Sequence, residues 1–130
     1  MYHLQAKLKE NQKFESELLN DFIIQKIQDS KGKNILKFDL TTLETPPADY
    51  FIICEADSAN HVRSIAERVE KEIKIEQGWL PIHTNGKSLS TWIALDYFTT
   101  IVHVFHQETR KFYDLEALWE DAQITEYENE

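Results

Sequence analysis

Apolar residues follow two different spacings along this chain, and the switches between them lay out its secondary structure. In residues 15–30, Leu19, Phe22, Ile23 and Ile27 recur at helical spacing, with Ser16 as the cap and Lys31-Gly32-Lys33 as the stop. This predicts an amphipathic helix over one side of a sheet. Residues 35–40 change to period two, with Leu36, Phe38 and Leu40 on one side and Lys37 and Asp39 on the other, as in a half-exposed strand. Pro46-Pro47 then marks residues 41–49 as a loop, because neither proline can donate to a sheet ladder. Residues 50–54, YFIIC, are apolar on both faces and predict a central strand covered from both sides.

From Ala59, the positions Val62, Ala66, Val69 and Ile73 recur at alternating four and three, with charged residues opposite. They predict a second helix, capped by Asp57 or Ser58 and ended by Gln77-Gly78. Pro81 limits residues 79–84 to an edge strand, and Asn85-Gly86-Lys87-Ser88 is a turn. Residues 91–97 and 100–106 are rich in β-branched and aromatic side chains, and only Phe98 and Thr99 separate them, so they form a hairpin. A two-residue turn pairs Tyr97 with Thr100, Leu95 with Val102 and Ile93 with Val104. One face then holds Ile93, Leu95, Tyr97, Val102 and Val104, and the other Trp92, Ala94, Asp96, Ile101, His103 and Phe105.

After a polar joint, residues 114–121 predict a short helix. Residues 1–13 are polar and read either as a frayed arm or as an extension of the first helix, and residues 123–130 read as a loose acidic tail. The order is helix, strand, strand, helix, strand, hairpin, helix. That order describes one α/β domain, residues 14–122, with a mixed β-sheet flanked by helices.

Composition narrows the function. A chain of 130 residues, 42% hydrophobic, is long enough to bury a core without disulfides or metal. It has no apolar run near the roughly 20 residues of a membrane span, and its first residues lack a signal-peptide core, so the expected location is the cytoplasm. The single cysteine, Cys54, lies inside an apolar strand and reads as a small buried hydrophobe. A net charge of -9, with the basic residues scattered, argues against direct binding to nucleic-acid phosphates.

Candidate chemistry is sparse. Glu55-Ala56-Asp57 at a strand end, with Asp96 on another strand, imitates the acid-x-acid pair and third acid of a two-metal nucleotidyltransferase. The Gly-Ser that would cradle phosphate is absent, since Thr45-Pro46-Pro47-Ala48 stands upstream. His103 and His106 point to opposite faces of their strand, and His61 and His83 have no neighbours at ligand spacing, so no metal site and no cofactor are expected. Trp92, Asp96 and Tyr97 remain. They fit either an interface anchor or a buried tryptophan, with Asp96 bonded to a neighbouring backbone group or to His103.

The segment from Ser90 to Trp119 resembles the C-terminal signature of the ribosomal silencing factor family (RsfS, also called Iojap). The matching residues are Trp92, Asp96 and Tyr97 of W-x-x-x-D-Y, residues 102–105 of a V-H-V-F-like strand, and Arg110, Phe112, Tyr113, Leu115, Glu116, Leu118 and Trp119 of R-x-F-Y-x-L-E-x-L-W. Residues 48–53, ADYFII, and the helix from Ser58 to Val69 are similar to the family as well. The chain departs from it at Glu55-Ala56-Asp57, where a glycine-containing segment is common, and at Phe98-Thr99, where the turn is commonly Gly-Asp. The resemblance implies a nucleotidyltransferase-like topology without catalysis. It also implies binding to the large ribosomal subunit through its fourteenth ribosomal protein on the intersubunit face, which blocks subunit joining and represses translation. The expected contacts are Trp92, Ala94, Asp96 and Tyr97. A homodimer burying the Trp92 face is the alternative from a different class, and the free protein could be such a dimer even in a silencing factor.

Overall fold

A computed structural model describes residues 2–130, with side chains from Leu4 onward. Helix α1 runs from Tyr2–Asp29. Residues 2–13 are therefore an extension of the first helix. No glycine or proline interrupts it, and Lys, Gln, Glu, Ala and Leu all favour helix. Ser16 is consequently not a cap. It lies inside α1, where its Oγ donates to the Gln12 carbonyl at 2.9 Å.

Strands β1 (Lys33–Asp39) and β2 (Tyr50–Ala56) follow, then α2 (Ala59–Gln77), β3 (His83–Asn85), β4 (Trp92–Asp96) and β5 (Thr100–His106). The end of the chain adds α3 (Gln107–Tyr113), α4 (Leu115–Leu118) and β6 (Gln123–Tyr127). Among the described residues, six strands form one sheet in the order β3-β4-β5-β2-β1-β6. Only the central pair, β2 and β5, is parallel, and every other pair is antiparallel. The α/β reading with a mixed sheet flanked by helices holds.

The caps of α2 follow from the sequence. Ser58 accepts from the His61 N–H at 3.1 Å, and Gly78 ends the helix at φ 72°. The buried residues of α2 are Val62, Ile65, Ala66, Val69 and Ile73. They pack with Leu19, Ile23, Ile24 and Ile27 of α1 on one face of the sheet, over Ile52, Cys54, Ile93, Leu95, Val102 and Val104. A smaller cluster on the opposite face joins Phe38, Phe51, Ile53 and Phe105 to Leu115 and Trp119. YFIIC is thus covered from both sides, as its composition required.

Two expectations need correction. The polar joint after β5 is helical, because His106 caps α3 through its ring Nδ1, which accepts from the Glu108 N–H at 3.2 Å. A histidine cap leaves little trace in sequence. The tail is also not loose. Residues Gln123 to Tyr127 pair antiparallel with Ile35 to Asp39, and backbone hydrogen bonds at an exposed sheet edge do not need an apolar pattern to form.

Cys54 is fully buried in β2, and burial pushes its thiol up to about 12. A thiolate is the reactive form. Maleimide or iodoacetamide should therefore label the native protein negligibly and the urea-unfolded protein readily, as read by intact mass. Rapid native labelling would show that β2 opens locally.

Candidate docking surface

The hairpin register is the one the strands imply. Trp92 faces Phe105, Ala94 faces His103 and Asp96 faces Ile101 across β4 and β5. Its turn is unusual, since Phe98 sits at φ 76°, a region that costs a side-chain-bearing residue roughly 1–2 kcal/mol. Three hydrogen bonds hold it there: Phe98 N–H to Asp96 Oδ1 at 2.8 Å, Thr99 N–H to the Tyr97 carbonyl at 3.0 Å, and Tyr97 N–H to the Thr100 carbonyl at 2.8 Å. The other end of β4 is set by Gly86, at φ 92°, where a Cβ would stand 1.9 Å from the Trp92 carbonyl oxygen. Only glycine fits so close to that backbone.

On the face away from α1 and α2, three aromatic rings gather around Trp92. Phe105 stacks on it at 4.8 Å and 26°, Tyr113 of α3 tilts against it at 4.9 Å, and His103 lies 5.9 Å away. The Trp92 Nε1–H donates to His103 Nδ1 at 3.0 Å. That bond fixes the imidazole proton on Nε2, which is buried and without a partner among the described residues. His103 is only 7% exposed, and burial lowers its pKa to about 4, so the ring is neutral at ordinary pH.

Beyond Tyr113 stands Phe112, 5.1 Å away and 82% exposed. Sequence reasoning did not single out Phe112, Tyr113 or Leu118 as surface groups, although all three lie in the motif it quoted. The available signal was a Phe-Tyr pair beside polar residues, and it becomes readable only once α3 is seen to be helical. Arg110 holds that helix down. Its Nη1 donates to Glu55 Oε1 at 3.0 Å and to the Asn34 carbonyl at 2.7 Å, and its Nε to Glu116 Oε1 at 3.2 Å.

Of the four expected contacts, Trp92, Ala94 and Asp96 share this half-open face. Tyr97 does not. It points to the helix side, is nearly buried in the larger core, and burial pushes its hydroxyl pKa upward. Of the two partners open to Asp96, the neighbouring backbone holds it, and His103 is taken by the indole instead.

The acids do not assemble into a catalytic centre. Asp96 is level with Ile101 and so with Phe51, four residues from Glu55, or about 13 Å along the strands. Glu55 is held by Arg110, and Asp57 is exposed before α2. Among the described residues, no three His, Cys, Asp or Glu side chains gather to hold a metal ion. No described helix is long and apolar enough to cross a membrane.

A family model described as "Ribosomal silencing factor during starvation" matches residues 13–130. The ribosomal silencing factor RsfS of Bacillus subtilis is 33% identical over 98 residues, 75% of this chain and 81% of that protein. Its counterpart in Halalkalibacterium halodurans is 32% identical over 78% of this chain and 86% of that protein. A mouse protein named for mitochondrial assembly of the large ribosomal subunit is 27% identical over 62% of this chain and 38% of its own length. Among solved structures, a crystal structure of a Chromobacterium violaceum protein superposes with a TM-score of 0.75 at 30% identity, covering 80% of this chain and 85% of the other.

Proposed function

This chain belongs to the ribosomal silencing factor family, RsfS, and from that premise we propose that it binds the large ribosomal subunit and represses translation. In this reading it docks in the cytoplasm on the intersubunit face, through the fourteenth large-subunit ribosomal protein, and keeps the small subunit from joining. The observation that carries the reading is the half-open sheet face where Trp92, stacked on Phe105 with Tyr113 tilted against it, stands in line with Ala94 and Asp96. Aromatic anchors beside a carboxylate suit a basic protein patch, and a net charge of -9 disfavours RNA phosphates as the direct contact. Tyr97 contributes from the other face by fixing the hairpin end. The name of the mouse relative supports the large subunit as partner. Inhibition needs no chemistry, only occupancy of a surface that the small subunit would otherwise cover.

The test mixes purified subunits in magnesium buffer after the protein has been added to the large subunit, and follows joining by light scattering. Joined ribosomes should fall in proportion to bound protein, and Trp92→Ala should weaken binding by about 2 kcal/mol, roughly thirtyfold. If saturating parent protein leaves joining untouched, the function is wrong. If folded Trp92→Ala binds like the parent, the contact assignment is wrong. Concentration-dependent dimerisation lost in Trp92→Ala, without subunit binding, would point to a self-associating module instead.

A further inference from the structure

His103 is a poor residue for a plain core position. It is almost fully buried among Phe51, Trp92 and Phe105, with ring centroids 4.6 to 6.1 Å away, and its Nε2–H has no partner among the described residues. A buried donor left unsatisfied is costly, and leucine would fill a similar space without that cost. What leucine cannot supply is the acceptor that His103 Nδ1 offers the Trp92 indole at 3.0 Å.

We infer that His103 is a positioning residue for the docking surface: it locks the Trp92 ring in one orientation and removes its N–H from recognition. The partner then meets an aromatic surface at Trp92 with no hydrogen-bond donor. The indole is held on three sides, by Phe105 stacked beneath it, Tyr113 against it and His103 at its nitrogen. Such a side chain loses little rotamer freedom on binding, and the gain appears as affinity. This role rests on the docking function given to Trp92 above.

Three proteins test it: the parent, His103→Leu and His103→Asn. The asparagine Oδ1 can take the place of the imidazole Nδ1, whereas leucine offers no acceptor. Two readouts are compared in each, hydrogen exchange of the Trp92 indole in the free protein, assigned with Trp92→Phe, and binding to isolated large subunits by sedimentation. His103→Leu should expose the indole to exchange and weaken binding about tenfold while leaving the fold at least as resistant to urea at neutral pH. His103→Asn should restore both protection and affinity. A merely structural histidine would make stability and binding fall together. Unchanged binding or unchanged indole protection in His103→Leu, or failure of His103→Asn to restore them, overturns the inference. A parent that binds no large subunits refutes the proposed function and this role with it, and it is told apart by indole protection that still depends on His103.

Discussion

Arg110→Ala is expected to destabilise the fold by about 3 kcal/mol, measured as a lower urea midpoint with little change in slope. Arg110 is 7% exposed, and its guanidinium joins four elements: Asn34 of β1, Glu55 of β2, its own helix α3, and Glu116 of α4. Deleting one partner of a buried ion pair costs about 3–5 kcal/mol, because the other charge remains without compensation. The lower end applies here, since water can still reach part of Glu116 and a little of Glu55. Arg110→Met keeps the aliphatic stem and should lose less than Arg110→Ala. Arg110→Lys should not rescue, because one ammonium cannot reproduce bonds leaving from two guanidinium nitrogens. A loss below about 1 kcal/mol for Arg110→Ala would mean that α3 and α4 are held by their apolar contacts instead.

The same clamp links stability to the proposed docking surface. Arg110 lies three residues before Tyr113, so loosening α3 withdraws the ring that leans on Trp92. Of the motif R-x-F-Y-x-L-E-x-L-W, Arg110 and Glu116 thus anchor the helices, Leu115 and Trp119 close the smaller core, and Phe112, Tyr113 and Leu118 stay exposed.

How much of this was legible in sequence depended on how much side-chain pattern each element needed. The hairpin register was readable because Ile93, Leu95, Val102 and Val104 must all reach one core, and a slip of one residue would expose all four. Helix α2 was readable from its stripe and caps. β6 was not, because pairing to β1 fixes its backbone while most of its side chains remain in water, so Gln123 to Tyr127 carries no strong alternation. The first half of α1 gave no stripe, since its described side chains before Ser16 are all exposed. Ser16 was misplaced for the same reason: a serine before the first apolar stripe marks a cap only if the helix begins there. At the proposed docking surface, the sequence put Trp92, Ala94 and Asp96 on one face and Tyr97 on the other. The motif had grouped them by adjacency, and the pleat separates them. The bond between Trp92 and His103 crosses strands between residues eleven apart, and nothing local announced it.

Acidification should destabilise the fold through His103 over a defined window. Native His103 takes a proton only near pH 4, because burial disfavours the charged ring, whereas an imidazole in the unfolded chain does so near pH 6.5. Between these values the unfolded state binds more protons, so stability rises with pH and falls as pH drops from about 6.5 to 4. The shift corresponds to a loss on the order of 3 kcal/mol, of which about 2 should be gone by about pH 5. Urea unfolding of the parent and of His103→Leu across this range isolates the term, since the carboxylates and the other histidines are common to both. The parent curve should fall away from that of the variant below about pH 6.5 and run parallel to it below about pH 4. Parallel curves throughout would mean that His103 meets water in the native state. Protonating Nδ1 also turns the acceptor of the Trp92 indole into a donor, so indole exchange protection should disappear over the native titration near pH 4 and not over the higher one. The Trp92 surface is therefore expected to keep its orientation throughout the neutral range, set by an imidazole that burial keeps uncharged.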